Sequence, residues 1–232
     1  MYGGVDYTRH ASFFNPVDNG KVPVIIIGAG AIGSFVALTL AKIGFLNISV
    51  FDEDEIDQVN IPNQFYPLDS IGKKKVEVLV EEVLRYTGVG VVGNPVRFLD
   101  QPIPESAIVI SCVDSMTSRE IVYAQCRKVG FSNMLGMIDS RMAGTVYRIY
   151  TVNKDSHDKY MDFWYPDSVA TMERCTEKSV IFNVCGISSM VCSQAVKLAK
   201  GEPLEFELFG DFKWHTHAIG KQEELVEEEV NQ

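Results

Sequence analysis

The sequence predicts an α/β fold, a doubly wound and mostly parallel sheet with an antiparallel C-terminal extension, on the strength of three observations. The run VPVIIIGAG passes from continuous apolar residues straight into glycine, the pattern of a strand buried on both faces that feeds a tight turn. Over the first 140 residues or so, short apolar strands alternate with helical stretches, as parallel strands joined by crossover helices do. The period then changes: GTVYRIYTV alternates and is rich in β-branched and aromatic residues, which favours antiparallel pairing.

Taken in order, residues 1–20 read as a polar arm with an aromatic patch at Phe13 and Phe14. The first strand comes next. Residues 31–43 contain no proline and carry apolar residues at helical spacing up to Gly44. NISVFD is a second strand, and Lys73 to Tyr86 is a helix with Val76, Leu79, Val80 and Val83 on one face. VGVV and PVRF supply a third strand around Gly93 and Asn94, AIVISCVD a fourth, and a helix runs from Arg119 to Lys128. MLGMIDS continues the alternation. Residues 153–180, irregular and polar with several aromatics, form a crossover loop. IFNVCGISSMVCSQAVKLAKG is a buried helix closing at Gly201, and LEFELFG a last strand. No internal repeat or low-complexity linker interrupts the chain. The expected organisation is an arm (1–20), a single domain (21–212) and an acidic tail (213–232).

Composition narrows the function classes. With 232 residues, 46% of them hydrophobic, the chain can bury a core. No apolar run approaches the roughly 20 residues that span a membrane, and MYGGVDYTRHASFF lacks the basic end and apolar block of a signal peptide. A cytoplasmic protein away from membranes is expected. The net charge of −10, about half of it from five glutamates between Glu223 and Glu229, makes nucleic acid an unlikely partner, because such affinity rests on phosphate neutralisation. Five cysteines without paired spacing suit a reducing compartment. Cys112, Cys185 and Cys192 lie in apolar runs and read as small core residues. His215 and His217 read as surface residues, since no third ligand accompanies them.

GAGAIG places Gly28, Gly30 and Gly33 at G-x-G-x-x-G spacing, directly after a strand and at the opening of a helix. In such a Rossmann-like turn the first glycine permits the tight turn, the second lets phosphate approach the backbone, and the third lets helix and strand pack closely. The free N–H groups of the helix N-terminus then face the anion. Asp52, closing the second strand, stands where an acidic residue binds ribose hydroxyls. ATP and NAD fit these features equally.

The residues after Asp52 separate the two nucleotides. Asn60, Asn63, Gln64 and Lys75 form a polar cluster that a plain NAD site does not need. Here FDEDEIDQVNIPNQF and IGKKKVE resemble the ThiF/MoeB proteins, relatives of the ubiquitin-activating enzymes. Asp52 and Asp54 match that family's D-x-D, Asn60 with Asn63 and Gln64 its N-x-x-R-Q, and Gly72 with Lys75 its G-x-x-K. SCVDSMTSR is similar to its C-x-D-N segment with an arginine downstream, giving Asp114 and Arg119. FWYPD and ERCTEKSVIFNVCGISSMVCSQAVKL resemble its crossover loop and closing helix, and DYTRHASFF its N-terminal arm.

The resemblance implies ATP- and Mg²⁺-dependent adenylation of a C-terminal carboxylate, often that of a small ubiquitin-like or sulfur-carrier protein, by a homodimer. Lys75 would reach the phosphates, Asp114 hold Mg²⁺, Asn60, Asn63 and Gln64 orient the triphosphate beside Asp54 and Arg119, and Asp52 hold the ribose. Arg9 would reach across a dimer interface into the partner's site. Cys175 falls where some relatives place a cysteine that bonds the activated partner, with Arg174 and Lys178 as cationic neighbours that favour a thiolate. Each residue also has a plainer reading: Lys75 as a solvated helix start, Asp114 as the cap of a helix beginning near Thr117, Arg119 as the partner of a helix carboxylate, Arg9 as ordinary arm charge, Cys175 as structural.

The chain departs from the family in three places. Asn63 stands where the family has arginine; a lost charge-assisted contact costs about 1.5–3 kcal/mol, one to two orders of magnitude in rate. Lys73, Lys74 and Arg141 are candidates to compensate. Ser115 replaces an asparagine. The family's two C-x-x-C pairs are missing, so no zinc is expected and packing at residues such as Phe163 and Trp164 must hold the crossover loop. Three readings compete: an adenylating enzyme, a catalytically weakened adaptor of the same fold, and an NAD-dependent oxidoreductase, which leaves Lys75 and Asp114 without a role.

Overall fold

Every residue of β1 (Val24–Ile27) is buried, because helices pack on both faces of the sheet it centres. The computed structural model describes residues 5–170 and 179–219. In it β1 pairs in parallel with β2 (Ile48–Phe51) on one side, and beyond β2 lies β3 (Val92–Asn94). On its other side β1 pairs with β4 (Ile108–Ser111), followed by β5 (Gly136–Ala143), also parallel. From β5 the pairing turns antiparallel through β6 (Val146–Val152), β7 (Glu207–Asp211) and β8 (Thr216–Ile219). The eight strands run in the order β3-β2-β1-β4-β5-β6-β7-β8. The chain leaves β1 toward one side and reaches β4 on the other, so the C-terminal ends of β1 and β4 flank a topological switch point, where α/β sheets hold their ligands.

Short α1 (Pro16–Asn19) precedes β1, and α2 (Ala31–Ile43) follows it, closed by Gly44 at φ 113°. That glycine is required: a Cβ there would lie 2.4 Å from Pro16 Cγ. The arm packs at this end of α2, with Phe14 buried and stacked on Phe45 at 4.6 Å and the His10 ring 3.0 Å from the Ile43 carbonyl. Only Phe13 of the expected aromatic patch is exposed. α3 (Lys75–Thr87) begins two residues later than the sequence predicts, and α4 (Met116–Val129) three residues earlier, because Ser115 caps it through Ser118 N–H. PVRF joins no strand, and β3 is the three residues around Gly93 alone.

The crossover contains a 3₁₀ segment (His157–Phe163) and a helical turn, α5 (Asp167–Ala170). α6 (Ile181–Lys200) is long and apolar enough to cross a membrane, which corrects the expectation that no segment is. Here Val184, Ile187, Val191, Ala195 and Leu198 are buried in the core against α2 and the sheet. Ser188 Oγ donates to the Ile32 carbonyl across that contact. Cys185, expected in the core, is exposed on α6. β8 extends the sheet into the stretch expected as tail. Its Thr-His-Ala-Ile sequence has no apolar alternation, and pairing with β7 makes it a strand. Trp214, in the turn between them, is exposed.

Candidate active site

The three glycines after β1 do three different things. Gly28, at φ 95°, makes the turn; a Cβ on it would lie 2.7 Å from the Cys112 carbonyl oxygen. A Cβ on Gly33 would come within 1.8 Å of the Gly28 oxygen, so α2 can approach the loop only without a side chain there. At Gly30 a Cβ would meet nothing within 4 Å, and this residue begins α2 without a side-chain cap. The first N–H groups of α2 therefore open onto free space at the C-terminal edge of the sheet, a ready anion site.

The ends of β2 and the following loop brace this turn. Asp52 Oδ2 accepts from Ala29 N–H at 2.7 Å and Oδ1 from Asp54 N–H at 2.8 Å. Tyr66 donates its hydroxyl to the Ala29 carbonyl at 2.6 Å. Burial, with Asp52 and Asp54 nearby, pushes the Tyr66 pKa well up, so it stays a donor. Lys75 is not a solvated helix start: it is buried, and its Nζ lies 2.7 Å from Asp54 Oδ2. Asn60 closes a capping box with Asp57, accepting from Asp57 N–H at 2.9 Å. Asn63 donates to Ser179 Oγ at the entrance to α6, and its Oδ1, like Gln64 Oε1, is buried with no partner among the described residues. Gln64 also lines a cavity of ≈ 200 Å³ with Phe65, Tyr66, Pro67, Glu82 and Tyr86.

Asp114 follows β4 directly across the switch point. It is exposed and has no partner among the described residues. It does not cap the next helix, a task that falls to two other residues. Ser115 caps α4, and Asp167 of the crossover accepts from Met116 N–H at 2.7 Å, Thr117 N–H at 3.2 Å and the Thr117 hydroxyl at 2.7 Å.

Arg119 does meet a carboxylate, though not one on its own helix. Its Nη1 donates to Asp139 on β5 and to the Ser140 carbonyl, and its Nη2 to the carbonyl of Val113, the residue before Asp114. Asp139 is fully buried and also accepts from Arg141 Nε at 2.7 Å and the Tyr160 hydroxyl at 2.9 Å. Burial opposes its ionisation, but Arg119 and Arg141 overcome this and hold the carboxyl below the usual range. Arg141 sits over the rings of Tyr150, Tyr160 and Tyr165 and donates to the Phe163 carbonyl at 2.9 Å. It is thus committed to the crossover and is not free to stand in for the arginine missing at position 63. Lys74 is likewise engaged, with Glu55 at 3.2 Å and the Glu53 carbonyl at 2.9 Å. Phe163 packs on Tyr150 and Phe206, while the indole Nε1 of Trp164 is buried without a partner among the described residues.

A family model described as the ThiF family matches residues 19–219. The chain belongs to the ThiF family. Among curated relatives, it is similar to the NEDD8-activating enzyme E1 catalytic subunit of Arabidopsis thaliana, at 33% identity over 47% of this chain and 28% of the relative. It is also similar to SUMO-activating enzyme subunit 2 of Dictyostelium discoideum, at 27% identity over 62% of this chain and 22% of the relative. The matched stretch is therefore less than a third of either relative's length. Among solved structures, MccB of E. coli with ATP superposes with a TM-score of 0.72 over 93% of this chain and 70% of that one, at 16% identity, a likeness of fold.

In this ThiF protein the structure gathers Gly28, Gly30, Gly33, Asp52, Asp54, Lys75 and Asp114 at the C-terminal ends of three adjacent strands and the helix start beside them. Asn60, Asn63 and Gln64 border them, and Arg119 lies beneath the Asp114 turn. Arg9 lies elsewhere. It is exposed in the arm docked at the far end of α2, about 20 Å from Gly30 by the length of thirteen helical residues. Cys175 lies outside the described residues. Of the described cysteines, burial pushes the Cys112 and Cys126 thiols up to about 12 and Cys192 higher still, which leaves them as thiols.

The residues fit a nucleotide polyphosphate: a backbone cradle with room at Gly30, a lysine whose carboxylate partner is exposed, and a carboxylate free to take a cation. No group of three or more His, Cys, Asp or Glu that could hold a metal occurs among the described residues. Mg²⁺ needs none, since it binds through one or two carboxylates plus substrate phosphates. Sequence reasoning missed Tyr66, Asp139, Tyr160 and Asp167. The only hint of the last was its place in FWYPD.

Proposed function

We propose that this ThiF domain is an ATP-dependent adenylyltransferase that activates the C-terminal carboxylate of a ubiquitin-like or sulfur-carrier protein and releases pyrophosphate. The observation that carries this reading is the open cradle at Gly30 over an uncapped helix start, with Asp114, unpartnered among the described residues, across the switch point. The NEDD8- and SUMO-activating relatives support the substrate class.

Bound ATP would supply an α-phosphorus for the carboxylate oxygen to attack, and Mg²⁺ would draw charge from the phosphate oxygens. The chain's own residues then have separable tasks. The N–H groups beginning α2 bind phosphate oxygens, and Asp52, by accepting the Ala29 N–H, fixes the loop that presents them while offering its remaining lone pairs to the ribose. Lys75 exchanges Asp54 for a phosphate oxygen and neutralises charge that develops in the transition state. Asp114 holds the cation. Arg9, docked a helix length from its own loop, acts on the site of a second copy, which makes the working unit a homodimer; a cytoplasmic setting belongs to the same reading.

A second reading is a weakened adaptor that binds a partner with little turnover, and one observation favours it: the Asn63 amide is tied to Ser179 and brings no charge to the site. Calorimetric titration with Mg·ATP, beside NAD and NADH, tests the first. Saturable ATP binding that is weakened tenfold or more, though still measurable, in Asp114→Ala and Lys75→Ala is expected; no binding by the folded wild-type protein would refute it. Asn63→Arg separates the two readings. A gain of tenfold or more in pyrophosphate exchange marks a competent site limited by charge.

A further inference from the structure

Arg119, Asp139, Arg141 and Tyr160 form one buried unit with no assigned task. Its reach is wider than a local ion pair. Through Arg119 it grips the Val113 carbonyl, so it fixes the turn from which Asp114 projects. Ser140, next to Asp139, adds a second hold on the same turn by donating its hydroxyl to the Ser111 carbonyl at 3.0 Å. Through Arg141 the unit grips the Phe163 carbonyl, and Tyr160 itself belongs to the crossover segment. Asp139 is the single acceptor common to all three donors.

The charges do not balance within the unit. Two guanidinium groups share one carboxylate, while burial and Asp139 push the Tyr160 hydroxyl far above its ordinary value and keep it neutral. A fold that needed only to pin the crossover would be served by Arg141 and Tyr160 on Asp139. Arg119 adds a second buried cation whose remaining N–H groups go to Val113 and Ser140, on the strand ends below Asp114. Removing a charge from water is costly unless it is fully bonded, and here the bonds that satisfy Arg119 are the ones that set the geometry of the Asp114 turn.

We propose that Asp139 is a positioning residue of the nucleotide site: acting through Arg119, it holds the Asp114 carboxylate where a phosphate-bound Mg²⁺ meets it. This rests on the adenylation reading. A carboxylate on an exposed turn would otherwise sample many orientations, and a small, strictly octahedral cation is sensitive to such a displacement. The unit acts on the cation's ligand, whereas the Gly30 cradle is built on β1 and braced by Asp52 and Tyr66, so its geometry does not depend on the Asp114 turn.

The test uses Arg119→Lys, which keeps the charge and can still pair with Asp139 but cannot serve Val113 and Ser140 together, and Tyr160→Phe, which removes one donor from Asp139. Affinity is measured by calorimetry for ATP with excess Mg²⁺ and for ATP in EDTA, alongside thermal unfolding. Arg119→Lys is expected to weaken Mg·ATP about tenfold and metal-free ATP less than twofold, with Tyr160→Phe smaller in the same direction. In an Asp114→Ala background Arg119→Lys should add nothing to the loss of Mg·ATP affinity, yet lower the unfolding temperature as much as it does in the wild type. Equal weakening with and without Mg²⁺, or affinities within twofold of wild type for both variants, would overturn the proposal and leave the unit a purely structural pin. Wild-type protein that unfolds cooperatively but binds no ATP would refute the functional reading itself, and this is seen before any variant is made.

Discussion

Gly30→Ala isolates the phosphate cradle from the fold. A methyl group at this position meets nothing within 4 Å, and the residue has φ −76°, so no left-handed backbone is forced on it. What is lost is the preference for glycine over alanine at a helix start, about 1 kcal/mol. For a domain of this length that lowers the unfolding temperature by roughly 2–4 °C. Yet the methyl would stand where phosphate must approach the N–H groups of α2. Each charge-assisted hydrogen bond to the anion contributes about 1.5–3 kcal/mol, so displacing even one costs roughly tenfold or more in ATP affinity. Gly33→Ala is the control with the opposite profile. Its methyl would lie 1.8 Å from the Gly28 oxygen, and relieving that overlap by backbone shift costs about 1–3 kcal/mol or more in folding. Differential scanning calorimetry and ATP titration of both proteins decide the matter. Gly30→Ala with undiminished ATP affinity would show that phosphate does not enter here, and the cradle assignment would fall.

Four further outcomes are expected from the same geometry. Asp139→Asn breaks a buried pair and should cost about 3–5 kcal/mol near neutral pH. Because Arg119 and Arg141 hold the folded-state pKa of Asp139 below its unfolded value of about 3.9, that contribution is complete above pH ~4 and fades as pH falls through the folded value. The gap between wild type and variant in urea titrations should therefore close in acid; a constant gap would refute the ionised assignment. Tyr66→Phe removes the hydroxyl that braces Ala29 and should cost roughly 1 kcal/mol, read as a fall of about 2–4 °C in thermal unfolding. Arg9→Ala should lower pyrophosphate exchange while unfolding stays within about 0.5 kcal/mol, since the side chain is exposed. Mixing Arg9→Ala with Asp114→Ala protein should recover activity above either alone if the arm serves a second copy; no recovery counts against action in trans.

How much of this could be read from the sequence depended on how local each feature is. The glycine loop was legible because its three glycines answer to backbone geometry within six residues: Gly28 makes the tight turn and Gly33 the close packing that the spacing implied, and Gly30 is left with open space beside it. β1, β2, β4 and β5 were legible as apolar runs, since strands covered on both faces leave few polar positions. β8 was not: its residues are largely polar and exposed, and only the register with β7 makes them a strand. Asp139 escaped notice because a single carboxylate in the middle of a buried strand carries no periodic signal, and its partners lie at positions 119, 141 and 160. Asp167 reaches a helix start some fifty residues back. Asn63 stood out as a departure from the family pattern, but Ser179, its partner 116 residues away, could come only from the folded chain.

The two tryptophans give the protein an optical handle. Trp214 is exposed in the turn before β8, whereas Trp164 keeps its indole nitrogen buried next to Phe163, whose carbonyl Arg141 holds. Replacing Trp214 with phenylalanine would leave one emitter in the crossover, half-buried and with its indole nitrogen out of water. Its emission would record in real time whether occupation of the site is felt on the crossover side, with no label attached.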